Sequence, residues 1–303
     1  MSLHIDYRPK ELKQLIGNKS TIASIESILT RTKDYPHVWL FNGPSGCGKT
    51  TLARIVASRL GVQPGDLQEL NIANFRGIDS AREIQEQMRL RALGGKYRAW
   101  ILDEAHMATK EFWNAMLKPL EDTPDHVFFF ICTTDPQKLP KTIINRCEAA
   151  RYVVEALSDI QIVTLLEDVL KKENVAVSDD VIKQIGQDSL GSARAALGML
   201  DKIIDMEPSA MLEAAKKIAA EQSETIELCR ALLKREKWIR IAQIIRGLES
   251  EPESIRQAVL GYMNAVLLKE DNSRAWEVMD ALREPLHYNG KAGLTMACYE
   301  AAK

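Results

Sequence analysis

The chain reads as an α/β domain built on a parallel sheet, followed by a small helical domain and then by a third, all-helical one. Three observations predict this. Residues 43–50, Gly43-Pro44-Ser45-Gly46-Cys47-Gly48-Lys49-Thr50, fit the pattern G-x-x-x-x-G-K-[ST] with no mismatch. Apolar strand-like runs alternate with helical patterns as far as about residue 154. Beyond Val154 the strand signals stop and helical spacing continues to the end. The domain boundaries expected from this are 1–154, 155–206 and 207–303.

The elements follow in order. Tyr7-Arg8-Pro9 forms an extended start, and an amphipathic helix is expected from about Lys19 to Thr30. His37 to Phe41 (HVWLF) is an apolar run, which predicts a buried strand over Val38–Phe41. Thr51 to Leu60 then reads as the helix after the glycine-rich loop. Further strand candidates are Gln68–Ile72, Ala99–Leu102 and Val127–Thr133, with helices between them that suit parallel crossovers. After residue 154, Asp159–Glu173 and Asp179–Asp188 read as helices, and Pro208, Pro252 and Pro285 punctuate the last third. Ile226, Leu228, Leu232 and Leu233 recur at helical spacing, as do Ile255, Val259, Tyr262, Met263, Val266 and Leu267. Such a stripe is ordinarily internal core. Trp238, Trp276 and Tyr288 are candidate anchors for subunit contacts.

Composition narrows the class. The 303 residues are 46% apolar and 27% charged, ordinary for a globular protein. No apolar run approaches the roughly 20 residues of a membrane span, so no membrane partner is expected. Met1 to Lys10 is polar and lacks the apolar stretch of a secretion signal. Five scattered cysteines without a C-x-x-C pair indicate neither a zinc site nor a disulfide framework, and suit a reducing cytoplasm. With a net charge of −2, any nucleic-acid contact must come from a local patch or an assembly.

The motifs carry phosphate chemistry. The loop glycines let successive N–H groups turn towards anionic oxygens. Lys49 can reach the β- and γ-phosphates of a nucleotide, and Thr50 can ligate Mg²⁺. Thr51 opens a helix whose N-terminus favours anions. Ala99 to His106 (AWILDEAH) is an apolar strand ending in two carboxylates, on the sheet edge where the loop also lies. Asp103 is the candidate second metal ligand and Glu104 the candidate general base. Val127 to Asp135 (VFFFICTTD) is a strand ending in hydroxyls; Thr134, with Thr133 as second choice, can meet the γ-phosphate or the water. Arg146 faces outward by periodicity, either simply solvated or as an arginine finger for a neighbouring subunit. Arg194, on an alanine-rich helix start, is either an ordinary helix arginine or a cation for the γ-phosphate of its own subunit.

Taken in series, these residues resemble the AAA+ clamp-loader ATPases, namely the bacterial gamma/tau subunit and the small subunits of replication factor C. YRPKELKQLIGN resembles the N-terminal box that wraps the adenine, which implies Tyr7, Arg8, Pro9, Ile16 and Gly17 around the base. LNIANFRGIDSAREI is similar to the replication factor C segment after the second strand, whereas EAHMATKEFWNAMLKPLED and TTDPQKLPKTIINRC look closer to the bacterial subunit. Asn145-Arg146-Cys147 stands where the family has SRC, and GSARAAL matches the sensor-2 helix. The resemblance is dense over residues 1–205 and rests on helical character beyond.

By resemblance, Thr134 takes the sensor-1 place, Arg146 that of the trans arginine finger and Arg194 that of the cis sensor 2. Asn71 is implied as a polar switch restraining Glu104 until DNA binds, and Arg82, Thr109, Lys110 and Thr142 as holders of DNA phosphates near helix starts. The implied architecture is an AAA+ P-loop domain, a helical lid and an oligomerisation collar. The implied activity is ATP hydrolysis with Mg²⁺, and the implied partners are a sliding clamp, primer–template DNA and other loader subunits in a pentamer. The bacterial four-cysteine zinc module is missing, and the chain ends at residue 303 without the long tau tail, as expected for a pared-down small subunit acting in a cell or, for a virus, in host cytoplasm. The rival expectations are another AAA+ DNA motor, of branch-migration or initiator type, and a structural, non-hydrolysing loader subunit.

Overall fold

The computed structural model describes residues 2–31, 34–75, 77–248, 251–267, 272–286 and 290–303. The apolar runs become five parallel strands: β1 (Val38–Asn42), β2 (Val62–Asn71), β3 (Tyr97–Asp103), β4 (Val127–Thr133) and β5 (Arg151–Val153). Their spatial order is β2-β3-β4-β1-β5. In the middle, β1 and β4 pair from Val38↔Phe129 to Asn42↔Thr133. All seven residues of β4 are buried, because helices cover both faces of a parallel sheet.

Alternation along the strands sends side chains to two separate cores. Trp39, Phe41, Phe128 and Phe130 lie with Leu52, Ile55 and Val56 of the helix after the glycine-rich loop. Val38, Leu40, Trp100, Phe129 and Ile131 lie with Ile84, Phe112 and Met116. The first helices are α1 (Leu3–Asp6), α2 (Lys19–Leu29), α3 (Lys49–Leu60), α4 (Ile78–Gln87), α5 (Lys110–Glu121) and α6 (Lys141–Arg146).

Two strands differ from expectation. β2 starts at Val62, not Gln68, and its register against β3 shifts between Val62 and Leu67. Pro64 and Gly65 fall in that irregular stretch, and residues of this kind mask a strand pattern. β5 was not anticipated as a strand: it has three residues, and both Arg151 and Val153 are exposed.

The chain divides into two compact units, Met1–Pro208 and Ser209–Lys303. The first closes with α7 (Asp159–Glu173), α8 (Asp179–Asp188) and α9 (Ala193–Ile203). Ser158 and Gln161 form a capping box at the start of α7, and the Ser192 hydroxyl accepts the Ala195 N–H at the start of α9.

The last third contains α10 (Pro208–Leu233), α11 (Trp238–Gly247), α12 (Pro252–Leu267), α13 (Ser273–Ala281) and α14 (Gly290–Ala302). Leu228, Leu232, Ile255, Val259 and Met263 of the expected stripes are buried together with Ile241, Val278 and Leu294. Arg256 is buried in this core; Glu253 accepts from its guanidinium, and its Nη1 donates to the Leu282 carbonyl at 2.9 Å. Trp238 meets Tyr299 edge to face at 4.9 Å, Trp276 is 63% exposed, and Tyr288 lies outside the described residues. Among the described residues no helix is long and apolar enough to cross a membrane.

Candidate nucleotide site

Four strands end on one edge of the sheet, and Asn42, Asn71, Asp103 and Thr133 are their last residues. The glycine-rich loop leaves that edge after β1 and runs into α3. Gly48, at φ +102°, is the residue before the helix, and a Cβ there would meet nothing within 4 Å. The loop is closed at Gly46, where φ is +74° and a Cβ would lie 2.1 Å from the Ser192 hydroxyl. The start of α9 is thereby brought against the loop.

Lys49, the first residue of α3, is buried. Its ammonium donates to the carbonyls of Gly43 at 2.8 Å and Pro44 at 2.6 Å. The Thr50 hydroxyl donates to Asp103 Oδ2 at 2.9 Å, so the two candidate metal ligands face each other. Asp103 Oδ1 accepts the Glu104 N–H at 3.0 Å, and Glu104 adopts a left-handed backbone, φ 52°. Its carboxylate lies 3.5 Å from His106 Nδ1.

These groups line one cleft. Tyr7, Arg8, Pro9 and Ile16 contribute from the N-terminal segment, Ser45 to Thr51 from the loop and α3, Asp103 and Glu104 from the end of β3, and Arg194 from α9. The donor set fits a nucleoside triphosphate with Mg²⁺. Open space lies above Gly48 at a helix N-terminus, an ammonium sits beside it, and a hydroxyl and a carboxylate supply hard oxygen ligands. Arg194 is exposed and has no hydrogen-bond partner among the described residues, which leaves its guanidinium available.

Other expected residues stand elsewhere. Gly43, Pro44 and Gly17 adjoin the cleft without lining it; a Cβ on Gly17 would lie 2.6 Å from Leu157. Thr134 follows β4, half-buried and outside the cleft lining, while Thr133 is fully buried and engages His106 and the Asp135 N–H. Asn71 pairs in register with Asp103, but its side chain accepts from the Ala73 N–H at 3.0 Å and makes no hydrogen bond to Glu104. Arg146 does not stand free: its side chain is 24% exposed, bonded to Glu121 of α5 and to the Thr142 carbonyl at 2.9 Å. The periodicity of a six-residue helix does not foresee an ion pair with another helix. Arg82 lies on the second turn of α4, not at its start, because the helix begins at Ile78; it pairs with Asp79 at 3.3 Å. Thr109 caps α5 by accepting from Phe112, while Lys110 and Thr142 are exposed near helix starts.

Sequence reasoning missed an ion pair on the cleft between Arg54 and Glu69. The available signal was spacing, since Arg54 lies four residues after Thr50 and so shares its helix face. The bond to Glu69 raises the pKa of Arg54, against a smaller effect of burial. Burial likewise pushes the Cys47 thiol up, and its sulfur donates to the Pro44 carbonyl at 2.9 Å, a structural rather than a nucleophilic setting.

The sheet order, the phosphate-binding loop and the acidic strand end define an AAA+ P-loop domain. A family model described as the Rad17 P-loop domain matches residues 4–92, and one described as DNA polymerase III, delta subunit, matches residues 66–154. The chain is similar to DNA polymerase III gamma/tau subunits. It is 30% identical over 221 residues to subunit tau/gamma of Haemophilus influenzae, covering 66% of this chain and 32% of that protein. The gamma subunit of Buchnera aphidicola is also 30% identical over 221 residues, covering 66% of this chain and 60% of the relative. The tau subunit of Escherichia coli is 30% identical over 219 residues, covering 65% and 34%. The chain thus spans from about a third to three fifths of the length of these relatives. In fold it resembles the Thermotoga maritima RuvB Holliday junction branch migration motor, with a TM-score of 0.61, 21% identity, and coverage of 84% of this chain and 85% of that one.

Proposed function

We propose that the chain is the ATP-hydrolysing subunit of a sliding-clamp loader, acting with primer–template DNA and further loader subunits in the cytoplasm, or in host cytoplasm for a viral protein. The observation that carries this is the Thr50–Asp103 contact of 2.9 Å on a cleft shared with Lys49, Glu104 and Arg194. Kinship to gamma/tau subunits supports the choice of partners.

In this reading Lys49 leaves the loop carbonyls for the β- and γ-phosphates, to which it offers a stronger charge-assisted bond. Thr50 and Asp103 would hold Mg²⁺, which supplies charge neutralisation on the phosphates. Glu104 takes a proton from the attacking water. Arg194 binds the γ-phosphate in its own subunit, and Thr134 reads it from the neighbouring strand. Tyr7, Arg8, Pro9, Ile16 and Gly17 enclose the base. Arg146 exchanges Glu121 for the γ-phosphate bound by an adjacent subunit. Asn71 restrains Glu104 only after releasing the Ala73 N–H. Thr109, Lys110, Thr142 and Arg82 hold DNA phosphates without reading sequence. Residues 1–154, 155–206 and 207–303 serve as nucleotide domain, lid and collar, with several copies, alone or with other subunits, completing a ring-like pentamer.

The test is steady-state ATP hydrolysis by the chain alone, and with primed DNA, a candidate clamp and partner subunits. Joint stimulation by clamp and primed DNA is expected. Stimulation by branched or duplex DNA with indifference to clamp would instead favour a motor, and no hydrolysis in any combination would favour a structural subunit.

A further inference from the structure

We propose that His106 is the positioning residue for Glu104, tying the carboxylate to the end of the neighbouring strand. The proposal rests on the reading of Glu104 as general base. Glu104 follows the last residue of β3, and Thr133 is the last residue of β4. These strands are hydrogen-bonded neighbours, with Leu102 opposite Ile131. His106 lies in the single helical turn Ala105–Met107, which is closed by the Met107 N–H on the Glu104 carbonyl at 2.9 Å.

From that turn the imidazole reaches both strand ends. Its Nδ1 is 3.2 Å from Thr133 Oγ1 and 3.5 Å from Glu104 Oε2. The ring is 14% exposed, against 36% for the Glu104 side chain. Thr133 is fully buried, and its hydroxyl is fixed from the other side by the Asp135 N–H at 3.1 Å. The carboxylate has no other hydrogen-bond or ion-pair partner among the described residues.

Donor chemistry sets the roles. An ionised carboxylate only accepts, so His106 attracts Glu104 in the tautomer that carries a hydrogen on Nδ1. In that tautomer the N–H donates to the Thr133 hydroxyl oxygen at 3.2 Å, and Glu104 Oε2 lies 3.5 Å from the same nitrogen, an electrostatic contact rather than a hydrogen bond. The buried hydroxyl locates the ring, and the ring locates the carboxylate. One carboxylate oxygen faces the ring, and the other points away, free to accept from a water. Asn71, the residue expected to restrain Glu104, is meanwhile occupied with the Ala73 N–H. The orientation of Glu104 in this conformation therefore comes from His106. Because Thr134 follows Thr133 directly, the same contact links the base to the strand end expected to read the γ-phosphate.

The experiment uses the full chain in its assembly with partner subunits, clamp and primed DNA, and compares His106→Ala, His106→Asn, Thr133→Val and Glu104→Gln. His106→Ala should lower kcat by roughly tenfold, a part of the hundredfold or more that a general base supplies. Its KM and its affinity for a non-hydrolysable ATP analogue should stay within about twofold, since general-base positioning acts on the chemical step. His106→Asn, whose amide N–H stands near the place of Nδ1–H, should recover most of the rate. Thr133→Val should lower kcat in the same direction and less, which also carries the test if His106→Ala folds poorly. An unchanged kcat in His106→Ala, beside a Glu104→Gln variant that has lost hydrolysis, overturns the positioning role alone. A rise in hydrolysis without DNA overturns it as well, since His106 would then be a restraint. Full activity in Glu104→Gln overturns the reading of the base itself.

Discussion

Replacing Gly46 by alanine tests how closely the phosphate-binding loop and α9 are joined. The methyl would stand 2.1 Å from the Ser192 hydroxyl and 3.2 Å from its Cβ, on a backbone with φ +74°. An alanine in that left-handed region costs about 1 kcal/mol. The hydroxyl can rotate away, but it then abandons the Ala195 N–H that it caps at 3.2 Å, worth about another 1 kcal/mol. The total, about 2 kcal/mol, should lower the melting temperature of the Met1–Pro208 unit by roughly 4–8 °C. Arg194 is two residues beyond Ser192, so ATP binding should weaken by roughly tenfold as the helix start is displaced.

Differential scanning calorimetry and titration with a fluorescent ATP analogue give both quantities. The control is Ser192→Gly, which is a tolerated cap residue and removes the obstructing atoms. On that background Gly46→Ala should cost at least ~1 kcal/mol less, a coupling expected of residues in contact. A melting shift that is the same in both backgrounds, or absent, would refute the close approach of loop and lid helix.

Other perturbations probe separate features. Lys49→Ala should lower hydrolysis by roughly a hundredfold or more, as loss of a preorganised phosphate donor does, and normal turnover would sink the site assignment. Arg146→Ala should still bind ATP yet lose hydrolysis within the assembly by a factor on the order of a thousand. Mixing it with Glu104→Gln subunits should restore a fraction of sites, and no recovery at any ratio would count against a shared interface. The Arg256 guanidinium holds the Glu253 carboxyl down at about 2, with burial opposing and the Leu286 N–H assisting. Because the folded value lies below the unfolded one, this contribution is present above about 4.5 and is lost as pH falls through about 2. Glu253→Gln should therefore destabilise Ser209–Lys303 by about 2 kcal/mol at neutral pH, with the gap to wild type closing through that acid window in unfolding curves followed by circular dichroism.

The parts legible in the sequence are those that a few consecutive residues decide. The phosphate-binding loop is local because its glycines, lysine and threonine act through one continuous backbone. VFFFICT and AWILD were readable as strands because a strand covered on both faces needs a near-continuous apolar run. The first half of β2 was not, since Pro64 and Gly65 interrupt its pattern, and three residues of β5 are too few to show a period.

What needed the tertiary structure is the choice of partner. Sequence spacing places Arg146 at the end of α6, yet only packing against α5 brings Glu121 to its guanidinium. Asn71 ends its strand beside Asp103, and the turn after it decides that the side chain caps Ala73. Arg54 meets Glu69 only because α3 crosses β2. Arg194 reaches the cleft because α9 starts against Gly46, far earlier in the chain. The chain by itself determined the loop, the acidic strand end and the layered class, all encoded by short-range periodicity and backbone chemistry. The fold alone decided which charged side chains are held and which are free, because a hydrogen bond depends on ångström distances between segments that no local pattern carries.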